Sequence, residues 1–353
     1  MTQILLPHKV LDYTCPINGL EDQYEWKTGE RLPGYFLFDL GSIGFAYIRH
    51  KFAPAPRMIS WGNGMGKALH EFLADLIGYR WTCHEGGSFA AAWRVVRDQI
   101  RKGRPVIIGL LDMYHLPYLD KFYHRIHIPQ HVVQVVGFDE DLDAAIIQDN
   151  SLADIQRIPM ADLQAAWNVS LPGQGKPFTY YRIEFGKRIA TLREIAVKGL
   201  PKRAKMYLRG TDGRQGSLGL RNAGRDVANW KKELTPRQFT ASLEFLACFT
   251  GSKLPNLPQA LLPYPLGYED SHRGARDGFA GELVELAEQF EQPRWRQAAQ
   301  EFQSGGERIG ALTDIAVRTL QGDEQAFTRA GALLEEIHRL EVRAFQCLLP
   351  AEE

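Results

Sequence analysis

Apolar residues recur at helical spacing in two early segments. MGKALHEFLADLIG from Met65 is one, with Gly78 as its stop. SFAAAWRVVRDQIRKG is the other: Ser88 is placed to cap it, Val95, Val96 and Ile100 share a face, and Gly103 ends it. Residues 16–27 predict a further helix. GYFLFDLGSIGFAYIR, 34–49, is apolar and punctuated by glycine, which predicts a strand with a tight turn. RPVIIGLLDMY, 104–114, predicts a buried strand. HVVQVVGFDEDLDAAIIQDN, from His131, predicts a β-hairpin turning near Glu140–Asp143. A short helix from Met160 and a β pattern in PFTYYRIEF from Pro177 complete an α+β region.

The texture changes from residue 187. Thirteen Lys or Arg lie between Lys187 and Lys232, against three acids, Glu194, Asp212 and Asp226. The rest predicts helices over 236–249, 276–303, 306–321 and 323–348. Pro255, Pro258, Pro263 and Pro265 mark an irregular connector. At 353 residues two domains are expected, an α+β catalytic domain over 1–186 and a helical domain over 187–353.

Composition narrows the function. Lys plus Arg and Asp plus Glu are 42 each, so net charge makes no case for nucleic acid. No run of about 18 apolar residues predicts a membrane span, and MTQILLPHKVLDYTC lacks the apolar core of a signal peptide. Cys15, Cys83, Cys248 and Cys347 are scattered, without zinc spacing or a disulfide framework, which fits a reduced, cytoplasmic protein. The glycines near Gly64–Lys67 lack phosphate-loop spacing, so ATP use is not indicated. His124 and His127 with His131 are irregularly spaced, and no metal is expected.

Cysteine chemistry remains. Cys15 sits in LDYTCPINGLEDQYEW, where a loop gives way to a helix whose N-terminal end favours a thiolate. Alone it reads as a small buried apolar residue. His131 leads a strand, and Asp149 and Asn150 end its partner strand. In a hairpin centred near residue 141, residues 131 and 149 lie nearly opposite, with Cβ atoms about 4.5–5.5 Å apart. Cys15 as nucleophile, His131 as base and Asp149 as orienting residue satisfy the order such a site needs, with Asn150 as the alternative orienter. The bland readings are a core cysteine, a core histidine and a turn-starting Asp-Asn-Ser. Asp112, Tyr114 and His115, after the 104–111 strand, read equally as pocket lining or as a strand-to-loop transition.

TCPINGL, LFDLGSIGFAYI, VIIGLLDMYHLPYL and HVVQVVGFDED followed by IIQDNS carry a family resemblance. The chain resembles the butirosin-biosynthesis acyltransferase family, whose N-terminal domain is papain-like and related to the bacteriocin-processing cysteine peptidases. DMYHLPYL is its most distinctive element. The resemblance implies transfer of an acyl group from a carrier-protein thioester to a small-molecule amine, in natural-product biosynthesis. No cofactor is implied, although the donor can carry phosphopantetheine. By position Cys15 matches the nucleophile, His131 the base and Asp149 the orienting acid. The peptidases' glutamine before the cysteine is missing; His8 and Lys9 stand there, leaving the backbone N–H of Cys15 with Asn18 or His8 as oxyanion donors. That shifts the expected substrate from a peptide bond to a thioester. A hydrolase of the same fold and a non-catalytic binding module are the alternatives. The basic 187–232 stretch reads as a solvated face or as a dock for an acidic carrier protein. The C-terminal helices offer surfaces for homo-oligomer formation as well as for packing on their own domain.

Overall fold

The computed structural model describes residues 1–10, 15, 17–62, 66–150, 152–171, 174–210, 212–251 and 273–350. The proline-marked connector therefore lies outside the described residues. In chain order the elements begin with strand β1 (Thr2–Gln3), helices α1 (Asn18–Thr28) and α2 (Phe36–Ser42), and strands β2 (Ile43–Arg49) and β3 (Arg57–Gly62). Next come α3 (Lys67–Ile77), β4 (Tyr79–His84), α4 (Phe89–Arg101), β5 (Val106–Leu111), β6 (His131–Asp139), β7 (Ala144–Gln148) and β8 (Gln156–Pro159). Then follow α5 (Met160–Trp167), β9 (Tyr180–Phe185), α6 (Leu192–Arg209), α7 (Gly216–Asp226) and α8 (Trp230–Glu233). The last are α9 (Pro236–Gly251), α10 (Arg276–Gln289), α11 (Pro293–Leu320) and α12 (Ala330–Cys347). The architecture is α+β, with a helical C-terminal region. Among the described residues no helix is long and apolar enough to cross a membrane.

The chain divides into two compact units, Met1–Leu32 with Met65–Leu192, and Pro33–Gly64 with Arg193–Glu353. The second unit thus takes in 33–64, which the sequence pattern had grouped with the N-terminal half. Its buried arginines show why. Arg203 on α6 donates to the carbonyls of Leu40 and Gly41. Arg276 on α10 meets Glu341 at 2.6 Å and donates to the carbonyls of Trp61 at 2.6 Å and Gly44 at 2.7 Å. A buried guanidinium needs partners for its donors, and segment 33–64 supplies carbonyls to both.

Two local expectations change. Residues 36–42 are helical, where a strand was predicted over 34–49. An apolar run buried on all sides carries no period, and Phe36, Leu37 and Leu40 are fully buried in that helix. The break expected near residue 304 does not occur. Gly305 and Gly306 lie inside α11, and a Cβ on Gly306 would sit 2.7 Å from Asp277 Oδ1, so the glycine permits close approach to α10. The break falls before Pro293, which takes the first-turn position where proline costs nothing.

The first unit holds an antiparallel sheet ordered β4-β9-β5-β6-β7-β8, with β1 added on β6. β6 and β7 are buried at every position, as strands covered on both faces are. One face packs on α4 and α5 through Trp93, Val96, Leu163 and Trp167. Ser88 caps α4 through Ala91 N–H at 3.3 Å. Gly78 closes α3 in the left-handed conformation, as its position predicts. α1 contributes Leu20 and Tyr24, both fully buried, one helical turn apart. Its polar Gln23 is buried too and donates to Gln134 Oε1 on β6 at 2.8 Å. Gln134 donates to Gln148 Oε1 on β7 at 3.0 Å, and Gln148 to the Leu6 carbonyl at 3.2 Å. This chain of amides ties α1, two strands and the N-terminal segment together without leaving those groups unpaired.

Gly19 permits that contact. A Cβ there would lie 2.7 Å from Ile107 Cγ1 and 3.1 Å from Gln134 Oε1. In an open helix Gly→Ala gains about 1 kcal/mol; here the clash with strand β5 outweighs it. Gly19→Ala is expected to destabilise the protein by about 1–3 kcal/mol, read as a lower urea midpoint at constant m-value. An unchanged or higher midpoint would contradict the packing.

Candidate active site

His131 is the first residue of β6, 1% exposed. Its Nε2 lies 2.5 Å from Asp149 Oδ2, and the Asp149 side chain is fully buried. The strand register explains the meeting. Gln134 pairs with Gln148, while a bulge at Val135–Gly137 shifts the remainder of the hairpin. Extended along the strands, the Gln134–Gln148 register puts 149 diagonal to 131 rather than directly opposite. The two still share a face, because side chains alternate with period two. On the other side Gly109 of β5 admits β6: a Cβ there would meet the His131 carbonyl at 2.8 Å.

Burial alone would lower the His131 pKa. The Asp149 charge and hydrogen bond, followed by those of Cys15, reverse this and raise it to about 10. Among the described residues Nδ1 has no hydrogen-bond partner, and Cys15 is a further neighbour that raises the His131 pKa. The half-buried Cys15 thiol faces the Gln130 carbonyl, 3.9 Å away. Cys15 precedes the first residue of α1 by three positions, and Ile17 at the N-cap offers no side-chain cap. The thiol thus sits one turn ahead of the helix rather than on its first turn.

Tyr118, which the sequence reading passed over, donates its hydroxyl to Asp149 Oδ2 at 2.6 Å. Burial first, and then the Asp149 charge, raise its pKa well above the ordinary value, so it stays a donor. It belongs to DMYHLPYL, but nothing in the pattern separates a tyrosine aimed inward from the polar residues before it. Asp112, Tyr114 and His115 are placed elsewhere. The Asp112 carboxylate accepts from the N–H of Tyr114 at 3.1 Å and of Ile128 at 3.0 Å, and meets His127 Nδ1 at 2.6 Å. Tyr114 stacks on His127, ring centroids 4.0 Å apart, with His115 edge-on to it. These residues fold the loop after β5. Among the described residues no three His, Cys, Asp or Glu side chains are grouped to hold a metal.

His8 is fully engaged away from any oxyanion position. Nδ1 lies 2.6 Å from Asp22 Oδ2, and Nε2 lies 2.9 Å from the Asp149 carbonyl and 3.0 Å from that of Leu152. Carbonyls only accept, so Nε2 carries a proton. Burial lowers the His8 pKa, but Asp22 and the two carbonyls more than offset it and the net shift is upward. Burial raises Asp22 as well, against the pull of His8. Both directions leave the shared proton firmly within the pair, and the two carbonyls at Nε2 favour the imidazolium. Asn18 opens α1, its side chain outside what is described, and Asn150 is buried beside Asp149.

A cleft of about 800 Å³ opens within the first unit, lined by Gln130, Val132, Ile107, Leu110, His70 and Tyr181 among others. Gln130, whose carbonyl lies 3.9 Å from the Cys15 sulfur, is among the lining residues; Cys15 and His131 are not. Asp112, Tyr114 and His115 do not line it. Its size suits a small ligand or a thioester arm.

Residues 14–150 match the family model described as butirosin biosynthesis protein H, N-terminal. The match takes in Cys15, His131 and Asp149. No curated protein matches the chain.

With Asp149 neutralised, burial is the dominant influence left on His131. In Asp149→Asn the imidazole is expected to titrate below its ordinary value of about 6.5, followed by imidazole ¹⁵N shifts. A raised folded pKa stabilises fully below about pH 6.5 and the effect is lost as pH rises through about 10. Wild-type stability should therefore fall more steeply than that of Asp149→Asn across that window. A His131 still protonated at pH 8 in the variant would contradict the assignment.

Proposed function

Starting from a chain whose residues 14–150 match the family model of the butirosin biosynthesis protein H N-terminal region, we propose a cysteine-dependent acyltransferase of natural-product biosynthesis, papain-like in its site. The observation that supports it is the buried His131–Asp149 contact, with the Cys15 thiol as a further ionisable neighbour of His131.

In the proposed reaction His131 already holds the Cys15 proton as an imidazolium that Asp149 stabilises, leaving Cys15 as the paired thiolate. The thiolate attacks the carbonyl of an acyl thioester on a carrier protein or CoA. The tetrahedral oxyanion is met by the Cys15 N–H and the N–H groups opening α1, where the N-cap residue Ile17 supplies no side-chain cap. Collapse expels the donor thiol, which leaves with the His131 proton. A small-molecule amine then attacks the acyl-Cys15 carbonyl, Cys15 departs as thiolate, and the amine's proton passes to His131. The thioester supplies the activation, so no cofactor takes part, and a reducing cytoplasm keeps the thiol free.

Intact-mass measurement after exposure to an acyl-thioester tests this. Wild type is expected to gain one acyl group and Cys15→Ala none; equal labelling of both would overturn the mechanism. Adding amines to acylated protein is expected to yield amide. Free acid at the same rate with and without amine would identify a hydrolase instead.

A further inference from the structure

Asp149 lies one residue beyond the end of β7 at Gln148, outside the ladder that fixes the strand. A carboxylate there has two side-chain torsions, and its contact with His131 alone defines neither its rotamer nor its backbone. Two further side chains converge on it. Tyr118 donates to Oδ2, the same oxygen that meets His131 Nε2, at 2.6 Å against 2.5 Å. His8 donates from Nε2 to the Asp149 carbonyl at 2.9 Å, and is itself held by Asp22 at 2.6 Å. Leu152 N–H closes a turn on that carbonyl at 3.1 Å.

We propose that Tyr118 and His8 are positioning residues that clamp Asp149 at both ends, Tyr118 selecting the oxygen presented to His131 and His8 holding the backbone that carries it. This rests on the reading of Cys15, His131 and Asp149 as the reacting groups, though the clamp itself needs no particular acyl donor or acceptor. Among the described residues His131, Tyr118 and His8 are ionisable groups that meet Asp149, with Asp22 behind His8 and Cys15 a neighbour of His131.

A clamp and a simple hydrogen bond make opposite predictions. If Tyr118 only withdrew charge from the carboxylate, removing its hydroxyl would leave Asp149 a stronger partner and raise the His131 pKa. If Tyr118 positions the carboxylate, its loss lets Oδ2 turn away, and burial then pulls His131 down. Tyr118→Phe removes one oxygen and keeps the ring. In intact protein, histidine ¹⁵N titration is expected to show the His131 pKa falling by about half a unit or more, against no shift for a merely structural ring. The kcat for acyl transfer is expected to fall about tenfold with KM for the thioester unchanged. His8→Ala is expected to lower the His131 pKa likewise, and His8→Gln, which keeps a donor, to restore most of it. An unchanged or raised His131 pKa in Tyr118→Phe would overturn the clamp. The titration uses no substrate, so absence of acyl transfer would sink the proposed reaction and leave this result standing on its own.

Discussion

The contact between His131 and Asp149 sets the terms for the rest of the first unit. Both side chains are almost wholly removed from water, and a buried ionised pair loses several kcal/mol of solvation per ion. Coulomb attraction offsets that only where geometry is tight and the remaining lone pairs find donors. The short Nε2–Oδ2 separation answers the first need and the Tyr118 hydroxyl the second. The surrounding polar groups follow the same rule. The Gln23, Gln134 and Gln148 amides pair with one another and with a carbonyl, and His8 finds a partner on each nitrogen.

Backbone proximity makes this possible. α1, which follows Cys15, reaches the sheet because Gly19 presents no Cβ to Ile107, and β6 reaches β5 because Gly109 presents none to the His131 carbonyl. The thiol, the imidazole and the carboxylate come from a loop, a strand start and a strand end. The helix–sheet packing brings these three together, not any local motif.

The hairpin from 131 to 148, the capped helix after Ser88 and the helix stopped by Gly78 were legible because period and capping chemistry are local. The pairing of His131 with Asp149 was legible by parity, even though the bulge at Val135–Gly137 shifts the register. What the pattern could not show depends on distant partners. Helix 36–42 hides in an apolar run that carries no period. Gly305 and Gly306 lie inside α11, where Gly306 serves a close approach to α10. His8 reads as an alternative to Asn18 for the oxyanion, and its Nε2 is instead occupied by the Asp149 and Leu152 carbonyls, more than 140 positions away. Asp112 reads equally as pocket lining or as a strand-to-loop transition and organises the loop, while Tyr118, six residues on, contacts Asp149.

The central claim is that a buried, carboxylate-charged His131 makes Cys15 the reactive thiol of this chain. Burial raises the pKa of both Cys83 and Cys347, so they serve as internal references. The direct measurement is competitive alkylation at pH 6 with limiting iodoacetamide, read by peptide mapping. Cys15 should be modified about tenfold or more faster than Cys83 and Cys347 in wild type, and lose that lead in Asp149→Asn. Equal rates at the three cysteines in wild type, or a lead at Cys15 that survives Asp149→Asn, would contradict the account.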